Sequence, residues 1–555
     1  MPPAPSFMKP LFTSALLLAL AGARPLHAAD TPQPTYPLIG IVQADPSTHG
    51  GKRDLAIGDS ASASIAAAAD STRLLYSTDG APLRAVLKAR NNAGRKTPPI
   101  LVYMGGFTTN GDDVIALERD FRTGIALTSV AKISADLDAT ATQCTLVDPV
   151  DGELAVKAST AAASDTKDPS KFCFWLRVDD EFMKVTAVDA ATGRITVERA
   201  FGGTMAAAHA AGANVLSPVY LGNRNQLGAA RHSNSWPGGP DYLRYAVDPR
   251  APASAKFKGG IVARIMKAGY DGAWFDTFQP MPYNLCDALG RKVSYFWDFG
   301  SGKPYDFDSY LGAIQTYVRN VRATVHAATG QEPVLYANSA TGSYARGLKK
   351  LFNQGDTHDL LDGYCFEDSY LKVQATREKG KANAAQAAFL PITGEKWVTN
   401  VTNHADAARS GLSGLCMAGP AGYLAAYINP TQDNYAQLIR FAYGSHLLTV
   451  TKERATAFGL PLLLTPQGAA PWPQIVYAPL GDPTQANNVA ALKLADSPCY
   501  QRSFEHGMVV VNPAADGPPV TVAVPAGYVD AITQLAVTSL TLAPADAAVL
   551  LRTKN

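Results

Sequence analysis

The stretch Asp271-Gly272-Ala273-Trp274-Phe275-Asp276-Thr277-Phe278 opens on a turn dipeptide, runs through apolar residues and meets a carboxylate where the run ends. Asp-Gly is a turn signal, and an apolar run this short, next to a turn, reads as a buried strand. Just upstream, Gly259 to Gly269 reads as an amphipathic helix, because Ile261, Val262, Ile265 and Met266 fall on one face. The unit is helix, tight turn, strand. The same phrase returns as Asp362-Gly363-Tyr364-Cys365-Phe366-Glu367, again with Phe four residues and an acid five residues after the Asp. Strand side chains alternate with period two, so equal offsets predict Asp276 and Glu367 on equivalent faces, alongside Trp274 and Cys365. A single acid past a strand is ordinarily a solvated loop residue. Two at matched offsets point to one shared site.

The 555 residues allow one large domain with smaller ones attached, and 47% apolar with 17% charged residues is a globular composition. A formal net charge of +2 lacks the concentrated Lys and Arg of a chain that binds phosphate backbones, so no nucleic-acid partner is expected. Lys9 precedes the apolar run Leu11 to Ala23, and small residues follow at Ala28 and Ala29. That order predicts a secretory signal peptide over 1–29, a mature chain starting near Asp30, and a secreted or periplasmic location. The run is too short for a membrane span, and none is expected later. The six cysteines show no Cys-x-x-Cys spacing, against a zinc ribbon or a thioredoxin-type centre. In an oxidising compartment Cys144 and Cys173 are the expected pair, while Cys365 reads as a small core residue.

Taken in order, Tyr36 to Val42, Arg73 to Ser77 and Ile100 to Gly106 read as strands, the last almost wholly apolar as in a parallel sheet covered on both faces. Residues 128–217 break the rhythm with short β runs joined by turns, a β-rich inserted module. From Val219 helices and strands alternate again, with helices at Phe307 to Thr329 and Tyr344 to Asn353, and strands at 271, 334, 362, 397 and 422. With one strand near 38–43 or 73–77, one at 100 and one near 215–221, this makes eight, and eight predicts a closed (β/α)8 TIM barrel of the α/β class. The barrel spans 30–127 and 218–454, and a C-terminal antiparallel β domain occupies 455–555.

A barrel of this kind works at the C-terminal ends of its strands, where this count places Asp276, Asn338, Glu367, Asn400 and Asn429. No Gly-x-Gly-x-x-Gly follows a strand, no Gly-x-Ser-x-Gly elbow is present, and the nine His are scattered. No metal site or cofactor is therefore expected, and paired carboxylates carry the chemistry.

In the segments Gly269-Tyr-Asp-Gly-Ala-Trp-Phe-Asp-Thr277, Asp362-Gly-Tyr-Cys-Phe-Glu-Asp368 and Tyr500-Gln-Arg-Ser-Phe-Glu-His-Gly-Met-Val-Val-Val-Asn-Pro513 the chain resembles glycoside-hydrolase-like barrels. The nearest set is the hypothetical glycosyl hydrolase group fifteen, with more distant likeness to endo-polygalactosaminidases and the α-galactosidase clan. The resemblance implies a secreted hydrolase of poly- or oligosaccharides with a carbohydrate partner. In the α-galactosidase clan the nucleophile follows strand four and the acid/base strand six, which implies Asp276 and Glu367 in those roles and a retaining reaction. Asp368 is the rival to Glu367. Trp274, Tyr336 and Tyr427 are expected to stack on sugar faces, and Asn338, Asp368, Asn400 and Asn429 to contact substrate. The alternative is a non-catalytic glycan-binding or envelope-associated protein on a barrel scaffold.

Overall fold

The structure is a computed structural model that describes residues 39–43, 72–77, 100–105, 108–110, 124–147, 175–189, 191–221, 244–276, 278–282, 285–287, 292–353, 357–367, 369–374, 377–378, 381–382, 388–417, 434–453, 456–461, 464–465, 468–469 and 474–553. Eight parallel strands close into a barrel: β1 (Ile39–Gln43), β2 (Thr72–Ser77), β3 (Ile100–Gly105), β4 (Gly272–Asp276), β5 (Val334–Ala340), β6 (Gly363–Glu367), β7 (Ser413–Met417) and β8 (Thr456–Pro461). β1 pairs with both β2 and β8, so the sheet keeps no open edge.

The membership differs from the sequence count. Asn214–Pro218 belongs to the inserted module, while β1 and β2 both enter the barrel. Trp397 to Val401 is not a strand but part of the helix Gly394–Arg409. Its β-branched look misleads, because Trp397, Val401, His404, Ala405 and Ala408 recur at helical spacing and are among the residues it buries. The strand read near 422 lies outside the described residues. Thr456–Pro461, which a boundary at 455 would assign to the C-terminal domain, pairs with β1 and β7 as the eighth barrel strand.

Four α-helices are described: α1 (Pro252–Lys267), α2 (Phe307–Thr329), α3 (Gly394–Arg409) and α4 (Tyr435–Leu447). α2 starts where Asp306 accepts from the Ser309 amide at 2.8 Å and Ser309 Oγ accepts from the Asp306 amide at 2.9 Å, a reciprocal cap. It stops at Gly330, whose φ of 70° only glycine adopts without strain. Tyr344 to Asn353, expected as a helix, instead holds a 3₁₀ turn at Leu348–Leu351. Between β4 and β6 the odd and even positions separate cleanly. Ala273, Phe275, Leu335 and Ala337 join a core with α1 and α2, whereas Trp274, Tyr336 and Cys365 join a different one. The second set therefore points into the barrel, and Asp276, Asn338 and Glu367 share its face.

The inserted module is a closed six-stranded antiparallel barrel between Leu127 and Pro218. Its apolar interior is continuous with the core around Ala246, Val247, Phe296 and Tyr305. A buried carboxylate, Glu181, organises it. Arg199 donates Nε and Nη2 to the two Glu181 oxygens at 2.7 Å each, Ala200 N and Ala207 N donate at 2.9 and 3.0 Å, and His209 Nε2 lies 2.9 Å away. Burial alone would raise this carboxyl, but the hydrogen bonds outweigh it and hold it at about 2. The folded value lies below the unfolded one, so the stabilisation is complete above about pH 4.5 and is lost as pH falls towards 2. Urea unfolding at pH 7, 4 and 2.5 is expected to show that loss, and Glu181→Gln, which costs about 3 kcal/mol at neutral pH, is expected to flatten it. An unchanged acid dependence in Glu181→Gln would refute this. Cys144, expected to pair with Cys173, is a free buried thiol pushed up to about 11 by desolvation; Cys173 lies outside the described residues.

The C-terminal strands Tyr500–Phe504, Gly507–Asn512, Tyr528–Asp530 and Asp546–Arg552 form an antiparallel sheet packed on α4. Arg502, fully buried, donates Nη1 to the Leu447 carbonyl at the end of α4 and Nη2 to the Gln485 carbonyl. Arg440 of α4 meets Asp546 at 3.1 Å. Charged groups on both sides thus fix this sheet against the barrel's outer layer.

Candidate active site

Asp276 ends β4, Asn338 lies within β5 and Glu367 ends β6. The strands are in parallel register, Trp274 beside Tyr336 and Asn338 beside Cys365, which brings the two acids to opposite sides of one asparagine. Asn338 Nδ2 donates to Asp276 Oδ1 at 3.0 Å and to Glu367 Oε1 at 3.0 Å. Two contacts of 3.0 Å to one nitrogen cap the distance between the accepting oxygens at 6.0 Å. With the amide hydrogens about 120° apart, the separation is about 5.2 Å. Both acids are half-buried, and Asn338 is buried.

Beneath the acids the barrel is filled. Trp274 and Tyr336, 2% and 5% exposed, form the packed layer under the carboxylates, so they support the site from below. Gly363 makes room for this layer, since a Cβ there would sit 2.5 Å from the Tyr336 ring. Cys365 stands in the same interior. Desolvation first, then the charges of Glu367 and Asp276 and the neighbouring Cys416, push its thiol well up, which leaves it protonated and inert as a nucleophile.

α3 holds the loops that follow the functional strands. Asn400, expected at a strand end, instead sits on this helix, 5% exposed, and donates Nδ2 to the Ser369 carbonyl at 2.8 Å. Asn403 donates to the Thr341 carbonyl at 3.2 Å. His404 lies 2.9 Å from Ser369 Oγ, which itself donates to the Phe366 carbonyl at 2.9 Å. Burial, and next the nearby His446, lower His404 to about 3, so it stays neutral. The backbone after Glu367 and after Asn338 is thereby tied to one rigid helix. Periodicity could have revealed this face, because Asn400, Asn403, His404 and Ala407 recur at three- and four-residue steps. Asp368, Tyr427 and Asn429 lie outside the described residues.

Asp362 explains the second Asp-Gly. Its carboxylate accepts from the Leu335 amide at 2.8 Å, from Arg322 Nη2 of α2 and from Asn353 Nδ2, and so joins the starts of β5 and β6 to a helix. Among the described residues no group of three or more His, Cys, Asp or Glu is arranged to hold a metal ion, and no helix is long and apolar enough to cross a membrane.

No protein-family profile matches the chain, and no curated protein matches it. Solved structures similar to it include a debranching enzyme from Nostoc punctiforme at 12% identity and a TM-score of 0.29, over 57% of this chain and 64% of that one. This chain thus spans less than two thirds of that enzyme. A family GH13_31 enzyme is 11% identical over 93% of this chain and 99% of that one, with a TM-score of 0.43. A variant of the PelA glycoside hydrolase domain from Pseudomonas aeruginosa is 12% identical over 46% and 78%, with a TM-score of 0.24. At these scores the likeness says nothing about the chemistry of this chain, which rests on Asp276, Asn338 and Glu367.

Proposed function

We propose that this chain is an exported glycoside hydrolase on a (β/α)8 barrel that cleaves a poly- or oligosaccharide with retention of configuration. The observation that supports it is the single amide of Asn338 bonded to both acids, which limits Asp276 Oδ1 and Glu367 Oε1 to 6.0 Å or less. Retaining glycosidases hold their carboxyls about 5–5.5 Å apart, whereas inverting ones need about 6.5–9.5 Å to admit a water between acid and sugar. Asp276 attacks the anomeric carbon as the bond to the leaving oxygen breaks and Glu367 protonates that oxygen. Glu367, now a carboxylate, takes a proton from water, whose oxygen attacks the same carbon and releases Asp276. The packed layer of Trp274 and Tyr336 keeps water from reaching the acids from below.

The test is incubation of the purified chain with bacterial and plant polysaccharides and with aryl glycosides, followed by proton NMR of the first sugar released. The expected product has the anomeric configuration of the substrate. An inverted product would remove Asp276 as nucleophile, and no release from any substrate would favour a glycan-binding protein on a barrel scaffold.

A further inference from the structure

We propose that Asn338 is a positioning residue whose side-chain amide sets the separation of Asp276 and Glu367, a reading that rests on the two-carboxylate hydrolysis above. An asparagine that recognises substrate gives its donors to sugar hydroxyls. Here both amide hydrogens go to the acids, at 3.0 Å each, and the residue is only 3% exposed. The opposite orientation would set the carbonyl oxygen against the carboxylate oxygen of Asp276, so that acid dictates which way the amide faces. That orientation leaves Asn338 Oδ1 buried with no hydrogen-bond partner among the described residues. The main chain of Asn338 is also held: its carbonyl accepts from the Phe278 amide at 3.1 Å, and its strand is in register with Cys365.

A shared donor holds the pair together whichever acid carries the charge, and it limits how far they can part. The same contact serves both halves of the reaction. When Asp276 bonds to the anomeric carbon and the leaving oxygen takes the proton of Glu367, the negative charge passes from Asp276 to Glu367. The amide touches both ends of that transfer, so its bond to Glu367 strengthens as its bond to Asp276 weakens, with no movement of the backbone. Positioning of this kind acts on turnover rather than on affinity.

Wild type, Asn338→Ala and Asn338→Asp, the last of equal shape but with neither donor, are compared in two ways. In crystal structures the wild-type pair keeps its oxygens within the 6.0 Å limit, and in both variants the acids are expected to part beyond about 6.5 Å or to turn away from each other. Acids that stay in place in both variants overturn the proposal, whether or not a substrate has been found. On a glycoside that the wild type cleaves, kcat of Asn338→Ala is expected to fall about 10²-fold with KM within about threefold, and kcat of Asn338→Asp to fall further because a third carboxylate joins the pair. A raised KM at unchanged kcat marks a substrate contact and also overturns it. A wild type that cleaves no glycoside refutes the hydrolase reading, and the crystallographic comparison then decides the bridge alone. If Asn338→Ala does not fold, Asn338→Asp carries both measurements.

Discussion

Asp276→Asn and Glu367→Gln are each expected to lower kcat by at least about 10³-fold while leaving the fold intact. Each replacement keeps the size of the side chain and an amide oxygen that can still accept from Asn338, so the stability change is about 1 kcal/mol and the melting curve stays cooperative. The two differ in what restores them. With an activated aryl glycoside the leaving group needs little protonation, so Glu367→Ala still forms the glycosyl-enzyme and stalls before hydrolysis. Azide, which needs no general base, is expected to restore turnover there and to yield a glycosyl azide of retained configuration. Asp276→Asn has no nucleophile to form that intermediate and gains nothing of this kind. Near-normal turnover in Asp276→Asn or Glu367→Gln would remove that residue from the mechanism.

Gly272→Ala is expected to cost more than about 4 kcal/mol and to prevent accumulation of folded protein. A Cβ at Gly272 would lie 1.9 Å from the carbonyl oxygen of Val334 and 2.7 Å from its nitrogen. Both are backbone atoms of the neighbouring strand, so no side chain can move aside. β4 would have to leave β5, and with it Asp276 would leave Asn338. Gly260→Ala on α1 is the internal control. Nothing lies within 4 Å of its Cβ position, and alanine in a helix interior is favoured over glycine by about 0.5–1 kcal/mol. Circular dichroism and thermal melts of the two variants should therefore move in opposite directions. A folded Gly272→Ala with a wild-type melting temperature would show that β4 and β5 are not in the register described.

The two Asp-Gly phrases carried most of what could be read of the site. Equal offsets are enough to put Asp276 and Glu367 on matching faces, because alternation along a strand is a local property of the backbone. The strand count reached four and six for these acids through two compensating differences. Residues 214–218 belong to the inserted module, and β1 and β2 are separate strands. Asn338 was legible as a residue near a strand end but not as the bridge between the acids. Its role depends on the register between β5 and both neighbours, which no property of its own segment encodes. The same holds for Asn400, which looks like strand in Trp397 to Val401 and becomes helix because a longer apolar period and the packing of Trp397 against Ser445 of α4 override a short β-branched run.

By itself the sequence determined the periods: where the chain turns at Asp-Gly, which strands are apolar on both faces, that a helix runs from Phe307 to Thr329, and that two acids recur at one offset. These follow from interactions within a few residues. Tertiary structure alone decided that the strands close into a barrel through β1 and β8, that Asp362 and Arg322 join elements across the chain, and that one amide spans two carboxylates. Closure and register are set by contacts between segments up to hundreds of residues apart, where the gain is shared and no single segment records it.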